Sequence, residues 1–145
     1  LNSYSSATSK QGNAAKGRVV FQSRCMACHK AGAEGFSVGP DLVTVKNRGR
    51  EALLAAVLDP NREVAAQYIG YTVNKRDGSI LEGLITDDSA SGFTLTVMGG
   101  AAIPIKRSEI KGTTSSGRSL MPEGLEKGLS PDDLADLLEF IETLP

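Results

Sequence analysis

The chain has 145 residues, a length that suits one domain or one domain with an insertion. Its formal net charge of −1 gives no bulk attraction to nucleic acid or to an anionic membrane surface, and we expect neither as a partner. No run approaches the roughly 18 to 20 apolar residues that a membrane span needs. Residues 1–12 are mostly polar and are predicted to form a flexible tail or linker stub, which leaves residues 13–145 as one folded domain.

Three segments of the chain have helical patterns. Residues 14–30 place apolar side chains at helical spacing. Residues 50–58 form a short amphipathic pattern that must end near Pro60, because the residue before a proline avoids the helical conformation. A last helix is predicted to begin after Ser130, which is a good N-cap, with Pro131 at the first helical position.

The pattern changes to a period of two between residues 68 and 111. Turn dipeptides at residues 77–78 and 99–100 separate the apolar runs, so about four antiparallel strands are expected in this segment. Residues 112–119 are rich in Gly, Ser and Thr, which predicts a loop. The sequence therefore predicts an α+β fold with a β-rich segment at residues 68–111.

The most informative motif is Cys25-Met26-Ala27-Cys28-His29, which contains both cysteines and the only histidine of the chain. Thiols at this spacing can add to the vinyl groups of one porphyrin while the adjacent histidine reaches the iron, and this is the attachment signature of c-type haem. We therefore predict one covalent haem c, held by Cys25, Cys28 and His29. A zinc site needs further paired ligands, which the chain does not have. A thioredoxin-like redox pair needs a βαβ context, and a plain disulfide leaves the adjacent histidine unexplained.

A haem iron bound by His29 has a second axial position to fill. No other histidine exists, so the candidates are the thioethers of Met26, Met98 and Met121. Met26 lies inside the attachment motif, on the histidine side of the ring. Met98 lies at a predicted strand end, where packing explains it. Met121 lies in a loop before the last helix and is followed by proline, so it is the predicted ligand by analogy with Met/His ligation in cytochromes c.

The order of these motifs resembles a class I cytochrome c. The residues that carry the resemblance are Gly17, Phe21, residues 25–29, Gly39-Pro40 with Leu42, Met121-Pro122 and the last helix. More narrowly, the run Ser-Leu-Met-Pro-Glu-Gly-Leu at residues 119–125 is similar to the haem-binding domain type of planctomycete and verrucomicrobial proteins, which often closes large periplasmic dehydrogenase-like or sugar-degrading chains. The resemblance covers residues 14–144 and implies a class I helical core with the β-rich segment inserted.

The resemblance also implies roles for residues outside the attachment motif. The carbonyl of Pro40 is expected to accept a hydrogen bond from the ring N–H of His29, which orients the imidazole and raises its basicity. Arg48 matches a basic residue that lies near a haem propionate, although Lys46 and Arg50 are equally charged neighbours.

Two further positions of the resemblance concern helix packing. Gly17 is expected to let the first and last helices approach closely. Phe21 is expected to pack towards Leu137 or Phe140.

These inferences predict an electron-transfer protein: a one-electron carrier with a low-spin haem ligated by His29 and Met121. The chain is expected to be no enzyme by itself, although it could be the cytochrome domain of a larger oxidoreductase, with a dehydrogenase, an oxidase or another cytochrome as redox partner. Because c-type haem is normally attached outside the cytoplasm, we expect a periplasmic or other extracytoplasmic protein whose signal peptide has been removed. One alternative is a ligand sensor or peroxidase-like enzyme with an open axial site, but such a site needs a distal acid–base group, most often a histidine, and the chain has no second histidine. The other alternative is an interaction module in which the haem is structural.

Overall fold

The computed structural model describes residues 2–145, so Leu1 of the predicted tail lies outside the described residues. The α-helices are α1 (Ala14–Arg24), α2 (Leu42–Val45), α3 (Arg50–Leu58) and α4 (Pro131–Glu142). Short 3-10 helices cover Asn2–Thr8, Lys46–Arg48, Ala66–Tyr68 and Arg107–Glu109. No helix among these residues has the length and apolar character needed to cross a membrane.

Helices α1 and α4 cross in close contact. A Cβ atom placed on Gly17 would lie 1.9 Å from the carbonyl oxygen of Asp136, so only glycine permits this approach. The rings of Phe21 and Phe140 pack 5.4 Å apart between centroids, and Phe21 is fully buried. The expected roles of Gly17 and Phe21 in helix packing are confirmed.

The strands form two antiparallel sheets. A two-stranded ribbon pairs β1 (Lys30–Ala31) with β2 (Glu34–Gly35). A five-stranded sheet has the order β6-β5-β4-β3-β7. Its strands are β3 (Ile69–Lys75), β4 (Ile80–Ser89), β5 (Gly92–Thr96), β6 (Ala102–Lys106) and β7 (Ile110–Ser119). The helices and antiparallel sheets together give the expected α+β fold.

The β unit is larger than predicted, because the segment predicted as a loop at residues 112–119 is strand β7. This strand lies at the edge of the sheet and pairs with β3 alone. Most of its residues are exposed, so its sequence has no apolar alternation to mark it as a strand. The inserted sheet therefore ends at Ser119, directly before the loop that carries Met121.

Two predictions at the start of the chain also need correction. The helix expected over residues 14–30 ends at Arg24, and the Cys-x-x-Cys-His motif follows it as a separate turn. Part of the segment predicted as a flexible tail forms a 3-10 helix over Asn2–Thr8 that packs on α4. Ala7 of this helix is fully buried, since a small side chain allows its backbone to approach the core closely.

Three apolar clusters organise the molecule. The first joins α1, α3 and α4, with Phe21 and Leu137 among its buried side chains. The second lies within the five-stranded sheet around Val73 and Leu95. The third consists of Val38, Leu84 and Leu120, with Cys28 and Tyr68 packed against it. This third cluster, which we call the junction cluster, joins the attachment motif, the sheet and the Met121 loop.

Candidate haem attachment site

The attachment motif forms a single hydrogen-bonded turn at the end of α1. The amide of Cys25 still donates to the carbonyl of Phe21 at 2.8 Å, which continues the helical pattern by one residue. The amides of Cys28 and His29 then both donate to the carbonyl of Cys25, at 3.1 and 2.9 Å. Both cysteines are free thiols and half-buried. The turn thus holds two thiols and an imidazole together without a disulfide.

The loop at residues 38–40 fixes the imidazole of His29. The amides of Val38 and Gly39 donate to the carbonyl of Cys28 at 2.9 and 2.6 Å, which docks this loop beneath the motif. The carbonyl oxygen of Pro40 lies 2.6 Å from Nδ1 of His29. Since a carbonyl can only accept, this contact assigns the ring proton to Nδ1 and leaves Nε2 as the free, lone-pair-bearing nitrogen.

Gly39 also borders the imidazole ring of His29. A Cβ atom placed on it would lie 2.6 Å from Cε1 of His29 and 3.0 Å from Nδ1. A residue with a side chain here would push the ring out of its position. The sequence places this glycine beside Pro40, but the contact itself follows only from the fold of the loop.

Burial favours the neutral forms of the His29 imidazole and of the two cysteine thiols. Burial lowers the pKa of His29 below its ordinary value, although the hydrogen bond to Pro40 acts in the opposite direction. The ring is therefore unprotonated at Nε2 near neutral pH, as an iron ligand must be. Burial and the nearby Cys28 raise the pKa of Cys25 to about 12, and burial also raises the pKa of Cys28. Residues 2–145 contain no cluster of three or more His, Cys, Asp or Glu side chains arranged to hold a metal ion.

Met121 lies in the loop between β7 and α4, half-buried, with its amide donating to Oγ of Ser119 at 3.1 Å. The preceding residue, Leu120, belongs to the junction cluster beside Cys28. Arg24, directly before Cys25, donates to the carbonyls of Leu125 and Lys127, both at 2.9 Å. The structure therefore ties the Met121 loop to the attachment motif. A basic residue at a helix end is visible in the sequence, but its partners a hundred residues away are not.

The three basic candidates for a propionate contact differ in their contacts. Lys46 donates to the carbonyl of Leu144 at 2.7 Å. Arg50 is paired with Glu139 and Glu142, at 2.8 and 2.7 Å. Arg48 is exposed, and its guanidinium makes no ion pair or hydrogen bond with the described residues. Of the three, Arg48 is the cation left free for another anion, although the structure does not bring it into contact with the attachment motif.

The sheet also contacts the motif directly, which the sequence did not indicate. In the β5–β6 turn, the amide of Gly99 donates to the carbonyl of Ala27 at 2.8 Å. The next residue, Gly100, lies against the ring of Phe36, since a Cβ atom placed there would be 2.7 Å from Cδ1. The sheet is thus part of the surroundings of the attachment motif, since Gly99 binds Ala27 and Leu84 lies in the junction cluster beside Cys28.

A turn that carries paired thiols and an oriented, neutral imidazole defines a site for a c-type haem. The family model for cytochrome c matches residues 14–145, and the chain belongs to the cytochrome c family. No curated protein gives a match to the chain. Membership of this family means a haem-binding electron-transfer protein, with iron in the haem and other redox proteins as partners.

The residues present fit that group. His29 offers its free Nε2, Cys25 and Cys28 offer free thiols on the same turn, and Gly39 leaves the ring in place.

Proposed function

We propose that this protein is a one-electron carrier with a single covalent haem c, attached through Cys25 and Cys28 and ligated by His29 and Met121. The observation that carries the proposal is the 2.6 Å contact between Nδ1 of His29 and the carbonyl of Pro40. It leaves one ring nitrogen for iron, beside two thiols that have no other bonding partner. The bound group supplies reversible one-electron oxidation and reduction at iron, with a potential that methionine ligation raises.

The protein's own residues set the conditions for that chemistry. Pro40 orients the imidazole and, through the hydrogen bond, raises its basicity. The junction cluster keeps water from the side of the motif where Cys28 lies, because Val38, Leu84 and Leu120 are all buried. Arg24 and Ser119 fix the loop that carries Met121. Because these contacts fix the imidazole and the Met121 loop, we expect the geometry of the site to change little between oxidation states, and a small change in geometry favours fast electron transfer.

Arg48 is the proposed partner of a haem propionate, because it is the cation of its group with no protein partner. The proposed location is the periplasm or another extracytoplasmic space, where c-type haem is normally attached. The proposed electron donors or acceptors are a dehydrogenase, an oxidase or another cytochrome. The similarity of residues 119–125 to the planctomycete and verrucomicrobial domain type favours a dehydrogenase.

The test of ligation compares two methionines. In the haem-loaded protein, Met121→Ala should abolish the weak far-red band of methionine-ligated ferric haem, open the iron to cyanide and lower the potential. Met98→Ala is the matched control, because Met98 is exposed on the β5–β6 turn and should leave the band and the potential unchanged. The reverse pattern would assign the ligand to the sheet and refute the proposal.

A further inference from the structure

Asn61 connects the end of α3 to the Met121 loop. It follows Pro60, which is buried at the turn after α3, and its own side chain is half-buried. Its Oδ1 accepts from the amide of Ser119 at 2.8 Å, and its Nδ2 donates to Oε1 of Glu123 at 3.1 Å. One side-chain amide thus uses its acceptor on the last residue of β7 and its donor on a residue of the loop that follows.

The two partners of Asn61 bracket Met121 in the chain, two residues before it and two residues after it. Ser119 extends the connection, because its Oγ accepts from the amide of Met121 at 3.1 Å. Next to it, the amide of Leu120 donates to the carbonyl of Tyr68 at 3.0 Å. The backbone up to Met121 is therefore held through its amides, while after Met121 the contact is made by the side chain of Glu123, and Asn61 is the residue that joins the two.

We infer that Asn61 is a positioning residue that holds Met121 at the iron, an inference that rests on the proposed His29/Met121 ligation. The loop contains Gly124, whose φ of +85° is a conformation that glycine adopts readily, and a glycine has more backbone freedom to lose on ordering than other residues. Without an anchor, an ordered ligand loop costs conformational entropy, which weakens the methionine bond relative to a loop that is already in place. By bracketing Met121, Asn61 reduces that cost.

A purely structural role for Asn61 makes a different prediction. If the amide only joins α3 to the sheet, its loss lowers the stability of the whole protein but leaves the affinity of iron for methionine unchanged. If it positions Met121, an added ligand such as imidazole competes more successfully, because its apparent affinity rises by the factor by which the methionine bond weakens. Imidazole binding to the oxidised, haem-loaded protein therefore separates the two roles.

The test uses an exchange of donor and acceptor. Asn61→Asp keeps an oxygen for the Ser119 amide but loses the donor to Glu123 and sets two carboxylates against each other. We expect imidazole to bind about five- to tenfold more tightly to this variant, the effect of losing about one hydrogen bond. Glu123→Gln alone keeps an acceptor for the Asn61 amide and should bind imidazole as the wild type does.

The double variant Asn61→Asp with Glu123→Gln is the decisive arm. The amide introduced at position 123 can donate to the carboxylate introduced at position 61, so the hydrogen bond between the two side chains is restored with donor and acceptor exchanged. We expect imidazole affinity and the far-red band to return towards wild-type values, with a coupling between the two changes that independent sites do not show. Glu123→Ala, at an exposed position, is the milder variant and should raise imidazole affinity about two- to threefold.

The outcomes separate the two proposals. If the wild type has the far-red band but all four variants bind imidazole equally, or differ only in thermal stability, Asn61 does not position Met121. If the wild type itself lacks the band, the Met121 ligation fails, and the positioning role fails with it. Asn47→Asp is the charge control, because Asn47 is exposed and undergoes the same chemical change. An increase in imidazole affinity as large as that of Asn61→Asp would assign the effect to charge and overturn the inference.

Discussion

Gly39→Ala tests the imidazole pocket by steric means. A methyl group there would lie 2.6 Å from Cε1 of His29, and an ordinary contact begins at 3.4 Å, so the ring must move by 0.8 Å (3.4 − 2.6). A shift of this size strains the 2.6 Å contact with Pro40. Overpacking costs about 1 to 3 kcal/mol, and the weakened hydrogen bond costs about 1 kcal/mol. Alanine reduces the entropy of the unfolded chain, which returns about 0.4 to 1 kcal/mol.

The net expectation is a loss of about 2 kcal/mol in the free energy of unfolding. Denaturant unfolding of the haem-loaded protein, followed by circular dichroism and haem absorbance, measures it. The reduction potential should also rise, because an imidazole without its carbonyl partner is a weaker donor to ferric iron. Gly112→Ala is the matched control, since a Cβ atom there has no neighbour within 4 Å, and it should raise the stability by up to about 1 kcal/mol through the same effect on the unfolded chain. Equal stabilities for the two variants would refute the contact between Gly39 and the ring.

Three further predictions concern the helices, the charge and the sheet. Gly17→Ala should destabilise the protein by about 1 to 3 kcal/mol in denaturant unfolding, because the helices must separate, although alanine is the better helix former; a gain in stability would contradict the close crossing. Arg48→Gln should lower the reduction potential measured by redox titration, since it removes the proposed cationic partner of a haem propionate, whereas Lys46→Gln should act mainly on stability through its lost bond to the carbonyl of Leu144; equal potential shifts would leave Arg48 without a special role. Replacing residues 69–118 with a short Gly/Ser linker should raise the affinity of ferric iron for cyanide, because it removes one wall of the junction cluster; unchanged binding would show that the sheet lies outside the haem pocket.

The elements with strong local signals could be predicted from the sequence. Helix α3 begins and ends where the amphipathic pattern and Pro60 indicated. Helix α4 begins at Pro131, where Ser130 accepts from the amide of Asp133 as an N-cap should. The C-terminal end of α3 and the N-terminal end of α4 are each fixed by residues within a few positions of one another. Such local signals do not depend on the rest of the fold.

The elements fixed by distant partners could not be predicted. Strand β7 is polar and exposed, and only its ladder with β3 makes it a strand. The 3-10 helix at Asn2–Thr8 lacks an apolar stripe, and burial of the small Ala7 against α4 holds it in place. In both cases the determining contact is made with a residue far along the chain, which no local pattern records.

The site divides in the same way. The motif at residues 25–29 predicts its chemistry because the residue types and their spacing are the whole requirement. The anchors of the Met121 loop, Arg24 and Asn61, are ordinary polar residues by sequence, and the contacts that give them a role span 58 to 103 positions. Sequence reasoning therefore proposes the groups that would bind the cofactor, and the structure is needed to identify the residues that hold those groups in place.

The central claim is that Cys25 and Cys28 carry one covalent haem whose iron is bound by His29. The most direct measurement is the intact mass of the protein after denaturing acid–acetone extraction, made on protein produced with a c-type haem maturation system. We predict that the colour stays with the protein, that the mass exceeds that of the chain by one haem, and that the double variant Cys25→Ala with Cys28→Ala loses both. Haem that extracts freely from the wild type, or stoichiometric zinc in its place, would contradict the account.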